Sequence, residues 1–168
     1  ASGATVSINN AAVQRANAGE YYRVSRRWKQ GDTLMIQLPL DVQAVFGNPR
    51  MYETVGKVAI QRGPLIYCME QKDNPGPISM FDRAVFVNPG KMTGYTPQVQ
   101  DGTLGRIVVL KHEGAGYLKP SEQEPLYTYG GTTDRKSAST GITLIPYYAW
   151  ANRGEDAMQV WLPYQLRP

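Results

Sequence analysis

One histidine, one cysteine and a thin scatter of carboxylates are the groups in this chain that could make or break bonds. His112 lies in Val108-Val109-Leu110-Lys111-His112-Glu113. An imidazole titrates near neutral pH and can act as a general base. By strand parity, however, His112 shares a face with Val108 and Leu110, which reads as a strand-end histidine bonded to backbone. Cys68 sits in Leu65-Ile66-Tyr67-Cys68-Met69-Glu70. No His, Arg or Lys lies near it in sequence to favour a thiolate, so it reads as a small core hydrophobe. A lone cysteine forms no internal disulfide and excludes every multi-cysteine zinc pattern.

Paired carboxylates could hydrolyse a glycosidic bond. The candidates are Glu155-Asp156, Glu122 with Glu124, and Asp134, all in Gly- or Pro-rich turns where acidic residues also serve solvation. Asp73, Asp101 and Asp134 could offer oxygens to calcium, but without the spacing of an EF-hand loop. No dinucleotide, P-loop, zinc-protease or nucleophile-elbow motif is present. Aromatic residues are the more suggestive feature. Tyr147-Tyr148-Ala149-Trp150 precedes Asn152-Arg153-Gly154. Such rings can stack on the apolar faces of sugars or pack at an interface between layers. Tyr147, Tyr148 and Trp150 are therefore the candidate carbohydrate or interface residues. Tyr21 to Lys29 mixes bases with aromatics, as single-strand nucleic-acid grooves do. On a strand these alternate onto opposite faces, which reads as a solvated outer face.

The elements that must position these groups are strands. Apolar residues recur at period two in Leu34, Ile36, Leu38, Leu40, Val42, Ala44 and Phe46. That pattern buries one side and wets the other. Pro39 interrupts it, which implies two strands or one bent at an edge. Glu20 to Trp28 alternates as well, and Lys29-Gln30-Gly31-Asp32 would turn it into a hairpin with the next run. Further strands are expected at Thr5–Ile8 and over 57–61, 65–70, 84–87, 104–113, 142–148 and 157–162, nine or ten in all. Residues 119–141 read as a long surface loop.

Composition agrees. Seventeen Gly and 12 Pro in 168 residues leave few windows for long helices. With 42% hydrophobic residues the chain is no disordered segment. A net charge of +4 is too small to imply nucleic acid as a partner. No apolar run approaches the ~18 residues of a membrane helix, so no membrane partner is expected. The chain opens Ala1-Ser2-Gly3-Ala4 without the basic start of a secretory leader, as a mature or truncated chain also would. The expected fold is all-β, an antiparallel β-sandwich, jelly-roll-like.

Several motifs together resemble a known family. They are Trp28-Lys29-Gln30-Gly31-Asp32-Thr33, Leu38-Pro39-Leu40, Asn48-Pro49-Arg50, Gly56-Lys57-Val58-Ala59-Ile60-Gln61-Arg62-Gly63-Pro64-Leu65-Ile66-Tyr67-Cys68, and Ile145-Pro146-Tyr147-Tyr148-Ala149-Trp150-Ala151-Asn152-Arg153-Gly154. In this order they resemble the C-terminal region of the β-L-arabinofuranosidase-like enzymes of glycoside hydrolase family 127. The last two are long and specific; residues 70–140 carry little of the match. The resemblance implies an enzyme with an (α/α)6 barrel followed by β-sandwich domains. It implies a zinc-bound cysteine nucleophile, further Cys and Glu ligands and a glutamate acid/base, all in that barrel. None of those motifs occurs in this chain, and Cys68 matches a cysteine of the β region rather than the nucleophile.

The resemblance thus implies residues 1–45 as the last strands of a truncated first β domain and 46–168 as a β-sandwich domain, separate or packed as one unit. It implies no catalytic residue, metal or cofactor in this chain, with zinc in the parent's catalytic domain. The expected function is non-catalytic: a C-terminal domain supporting the catalytic barrel or an oligomer. The alternative is an autonomous carbohydrate-binding module using its exposed aromatics, and a third reading makes the chain an independent enzyme built on His112. Expected partners are the parent's own catalytic domain, a second copy in a homo-oligomer, and a glycan. The parent would be a bacterial protein of the cytoplasm or periplasm, or secreted.

Overall fold

Alternating apolar and polar residues, cut short by Gly, Pro and Asn, leave room only for short extended segments, and strands are what form. The computed structural model describes residues 3–9, 11–87, 92–117 and 137–166. Its strands are β1 (Thr5–Ile8), β2 (Gln14–Arg15), β3 (Leu34–Gln37), β4 (Val42–Phe46), β5 (Lys57–Arg62), β6 (Leu65–Glu70), β7 (Arg83–Val87), β8 (Thr96–Gly102), β9 (Gly105–Tyr117), β10 (Ser137–Pro146), β11 (Met158–Gln159) and β12 (Leu162–Leu166). The helical pieces described are three-residue turns at Tyr52–Thr54, Gln71–Asp73, Met80–Asp82 and Tyr147–Ala149. The fold is all-β, as the period-two pattern requires. Among the described residues no helix is long and apolar enough to cross a membrane. The chain divides into two units, Ala1–Asp41 with Arg62–Pro64, and Val42–Gln61 with Leu65–Pro168.

The first unit holds a three-stranded antiparallel sheet in the order β2-β1-β3. β3 pairs with β1, Val6 opposite Ile36. The expected hairpin between Glu20–Trp28 and β3 therefore does not form. The turn at its base does: the Asp32 N–H donates to the Lys29 carbonyl, and an Asp32 carboxylate oxygen accepts the Lys29 N–H. Asn9 ties that turn to β1, donating to Asp32 at 2.6 Å and accepting the Thr33 N–H at 2.8 Å. These hydrogen bonds, Asn9 first, hold the Asp32 carboxyl below its ordinary range. Residues 20–28 stay outside the strands, and among the described strands β3 pairs with β1 alone. The stripe at Leu34, Ile36, Leu38 and Leu40 also departs from expectation, because all four stay exposed. Three short strands offer no second layer to cover it.

The second unit is built on a circuit. Its pairing path runs β11-β6-β10-β9-β7-β12-β5-β4, and β6 also pairs with β5, so β6-β10-β9-β7-β12-β5 returns on itself. Two strands achieve this by changing partners along their length. β10 lies against β9 up to Leu144 opposite Leu110, then against β6 from Ile145 opposite Cys68. β12 pairs antiparallel with β5 at Leu162–Pro163, then parallel with β7 from Tyr164 opposite Val85. That parallel pair is the one departure from an antiparallel scheme among the described ladders. Strands that switch sheets make the corners of a sandwich.

Burial follows parity. Tyr67, Met69, Leu110, Ile142 and Leu144 enter one core with Val58, Ile60, Val85 and Leu162. Their neighbours Cys68, Val109 and Ile145 point the other way, into a second cluster with Ile107 and Ala149. β6, β9 and β10 are thus covered on both faces. Two boundaries moved. The expected strand over 157–162 is split between β11 and β12, and the one over 142–148 ends at Pro146. Residues 137–141 of the expected loop are the start of β10; its 119–136 lie outside the described residues.

A buried arginine clamps the connection between β6 and β7. Arg83 is almost fully buried, and its guanidinium donates to the carbonyls of Gly141 (2.8 Å), Asn74 and Pro75 (2.9 Å each) and Ile78 (3.1 Å). Burial lowers its pKa. Asn74 continues the clamp, donating to the Glu70 and Thr143 carbonyls and accepting the Thr143 N–H at 2.8 Å. Replacing Arg83 with Met strands these carbonyls without donors and is expected to cost ~3–5 kcal/mol. Urea denaturation of Arg83→Met against the parent chain measures this, and a midpoint unchanged from the parent would disprove the clamp.

Candidate functional site

The chemistry-bearing side chains are best followed strand by strand. β9 carries His112 toward the first core. Its ring is buried, with Nε2 accepting the Phe86 N–H and Nδ1 facing the Gly94 carbonyl, both at 3.2 Å. Those partners require the neutral tautomer with its proton on Nδ1. Tyr95 stacks flat on the ring, centroids 4.0 Å apart. Burial pushes the Tyr95 phenol pKa up. Both imidazole nitrogens are thus engaged with backbone, and the ring is an architectural joint between β9, β7 and the segment before β8.

β6 carries Cys68 toward the second cluster, fully buried. Burial first, then the nearby Glu70 and Asp73, push its thiol up to about 12. The side chain therefore carries a proton at any physiological pH and is no nucleophile. Among the described residues no group of three or more His, Cys, Asp or Glu could hold a metal. A lone protonated thiol does not fit the zinc centre that the family resemblance implies for the catalytic barrel.

Of the carboxylates that do converge, the sequence offers Asp73 only as a possible calcium ligand and Glu70 not at all. Glu70, at the end of β6, is buried beside Asp73 of the following turn, and Arg153 bridges them. Arg153 Nη1 donates to Asp73 at 2.7 Å, and Nη2 donates to both Glu70 and Asp73. The second Glu70 oxygen accepts the Ala151 N–H at 2.8 Å. Its hydrogen bonds to Asp73, then Glu70, raise the Arg153 pKa against the opposing effect of burial. The partners lie 80 or more positions apart, so spacing could not reveal them. Glu155 and Asp156 lie beyond Arg153 without joining the cluster; Asp156 accepts its neighbour's Ala157 N–H. Glu122, Glu124 and Asp134 lie outside the described residues.

This cluster holds the aromatic loop in place. Ala151 takes a left-handed backbone (φ 59), which is strained for a residue with a Cβ, and the bond to Glu70 fixes it there. The Asn152 amide donates to the carbonyls of Tyr148 and Trp150. The three rings stand out from the surface: Tyr147 is 46% exposed, Tyr148 51% and Trp150 36%. Tyr147 and Trp150 are 6.3 Å apart with planes tilted by 37°. Beside the cluster, Asp101, Leu104, Ile107, Ala149, Asn152 and Arg153 line a cavity of about 20 Å³, room for roughly one water. A groove of about 340 Å³ in the first unit includes Val6, Ile8, Tyr22 and Arg26 in its lining, which contains no carboxylate, histidine or cysteine. Arg26 there pairs with Asp32 and lies over the Trp28 ring.

A sandwich-like β module with these long turn motifs is of the class found as C-terminal domains of glycoside hydrolases. Residues 42–163 match the model of the glycoside hydrolase family 127 C-terminal domain, and the chain belongs to that family. A non-reducing end β-L-arabinofuranosidase from Bifidobacterium longum subsp. longum is 36% identical over 134 residues, covering 77% of this chain and 20% of that protein. The crystal structure of a family 127 β-L-arabinofuranosidase from Geobacillus stearothermophilus T6 superposes with a TM-score of 0.73 at 26% identity, covering 97% of this chain and 25% of the other. A further family 127 β-arabinofuranosidase structure gives 0.73 at 27% identity, covering 98% of this chain and 24% of its own. The chain spans about a fifth to a quarter of these relatives' length.

Two outcomes test the geometry. Arg153→Ala leaves the Glu70 carboxylate buried without its cation, and a loss of ~3–5 kcal/mol is expected in urea denaturation. A variant as stable as the parent would show the ion pair to be idle. The Cys68 thiol should resist alkylation by iodoacetamide at pH 8 until denaturant is added. Its folded pKa is raised from 9.0 to about 12, so the thiol ionises first in the unfolded chain. Stability contributed by Cys68 is therefore present below pH 9 and lost as pH climbs toward 12.

Proposed function

We propose that the chain is the non-catalytic C-terminal β-sandwich of a β-L-arabinofuranosidase-like enzyme and serves to support that enzyme's catalytic barrel. The observation carrying this reading is the state of its reactive groups. The sole thiol is buried and protonated, both nitrogens of the sole histidine are bonded to backbone, and Glu70 and Asp73 are ion-paired. None of these is poised to attack or protonate a substrate. The relatives' length supports the rest, since this chain corresponds to a C-terminal part of larger enzymes. The catalytic barrel would then be its first partner, with zinc chemistry held there.

Tyr147, Tyr148 and Trp150 are the interface candidates of the second unit. Their exposure also favours a second reading, a carbohydrate-binding module in which the rings stack on sugar. One experiment separates the readings. The chain alone is incubated with an aryl β-L-arabinofuranoside and titrated with arabino-oligosaccharides under Trp fluorescence. No turnover and no saturable change are expected. Turnover would overturn the non-catalytic reading. Saturable binding lost in Trp150→Ala would move the assignment to the carbohydrate-binding module.

A further inference from the structure

His112 is the one histidine of the chain, and the fold uses it in a single protonation state. Nε2 accepts the Phe86 N–H of β7, and Nδ1 donates to the Gly94 carbonyl ahead of β8. A second proton on the ring has to go to Nε2, where it sets one N–H against another and breaks the bond to Phe86. The charge it brings would sit on a buried ring. Tyr95, stacked on that ring, attracts a cation through its face, but this leaves the two opposed N–H groups as they are. The segment closed by the ring has little else to hold it. Gly94 takes a left-handed backbone (φ 85) that lets the chain pass close over the imidazole. The Tyr95 hydroxyl is buried and, among the described residues, has no hydrogen-bond partner. Met92 and Tyr95 pack on the first core, so this segment covers part of its edge.

We propose that His112 is an acid-released latch: neutral, it joins β9 to β7 and to the Gly94–Tyr95 segment, and protonated, it opens both joints and uncovers that edge of the first core. The titratable and charged groups on the surrounding elements do not replace the lost bond. Tyr95 comes from the segment before β8, and its phenol is kept protonated by burial. On β7, Arg83 is committed to the carbonyls of the 74–78 turn and of Gly141. β10 carries no ionisable side chain from Ser137 to Pro146. On β9 itself, Lys111 donates to Thr143 and Glu113 accepts from Ser139. The folded chain holds the ring neutral and the unfolded chain lets it protonate. Stability contributed by the latch is therefore present above the ordinary histidine range, near ~6.5, and is lost as pH falls below it. β9 keeps its ladders to β8 and β10, so the opening is local. This inference rests on hydrogen-bond geometry and stands apart from the role proposed above.

A lone histidine makes the test direct, because the chain gives a single imidazole C2-proton signal in NMR. That signal and the hydrogen-exchange protection of the Phe86 amide are followed together from about pH 7.5 to about pH 5. The expected result is a Phe86 protection factor that falls roughly tenfold per pH unit below the histidine range, in step with protonation of the ring. Amides in the β9–β10 ladder should keep their protection. His112→Gln leaves an amide oxygen to accept the Phe86 N–H but no group that titrates, and should abolish the pH dependence. Phe86 protection that is the same at both ends of the range would overturn the proposal, whether or not the ring has protonated. So would a loss of protection that persists in His112→Gln. Should that variant fail to fold, the parent chain decides alone: a ring and a Phe86 amide that change at different pH values would overturn the latch.

Discussion

Strands buried on both faces must satisfy their backbone groups from their neighbours, since no water reaches them. That constraint organises this molecule. β6, β9 and β10 have one core against Tyr67, Leu110 and Leu144 and another against Cys68, Val109 and Ile145. Such strands cannot end in a free edge without stranding donors in apolar surroundings. The circuit through β12 and β5 back to β6 meets the requirement, and the changes of partner in β10 and β12 are its geometric cost. Proline stands at both changes, as Pro146 at the end of β10 and Pro163 where β12 passes from β5 to β7. A residue without an N–H suits a point where the ladder is being handed from one neighbour to another.

The same constraint explains why the interior holds polar side chains. Closing a circuit with short strands leaves turns folded against the core, and their carbonyls need donors. Arg83 and Asn74 meet that need for the 74–78 turn, and His112 does so between Phe86 and Gly94. Arg153 and Glu70 play the same part at the other end, fixing Ala151 in a strained backbone and with it the aromatic loop. Groups that look catalytic in a one-dimensional reading are here the connectors of the architecture. The Arg83 shift reports burial and the Arg153 shift reports its bonds to Asp73 and Glu70, and perturbed values alone would have pointed to an active site.

What could be read from the sequence tracks how local its cause was. Turn residues such as Gly63-Pro64 bounding the runs 57–61 and 65–70 marked β5 and β6. The parity that paired His112 with Leu110 holds, and both are buried. β8 went unseen because Gln98, Gln100 and Asp101 give an exposed edge no hydrophobic period. The start of β10 looked like loop because Ser, Thr and Gly fill it. Part of the reason lies opposite in β9, where a Cβ on Gly114 would lie 2.5 Å from the Ala84 carbonyl oxygen. Close packing there demands small residues, and small residues resemble a turn. Residues 20–28 show the converse error: they alternate in sequence yet form no strand, although β3 lies at the edge of its sheet. The Glu70–Asp73–Arg153 cluster was invisible for a different reason, since its members meet only after the sheet has closed.

Exposure of Tyr147, Tyr148 and Trp150 has to be weighed against the effort of holding them. A surface loop needs neither a left-handed alanine nor a buried carboxylate to stay on the surface. Here a buried ion pair, with its large desolvation penalty, is aligned so that one Glu70 oxygen fixes the Ala151 N–H. Fixing a loop in advance lowers the entropy lost when its rings are covered, whether by sugar or by protein. Rigid aromatic side chains on such a loop lose little further freedom on contact, which is why large rings concentrate binding energy at interfaces. The bond from Ala151 to Glu70 thus leaves the loop that carries Tyr147, Tyr148 and Trp150 with little freedom to lose.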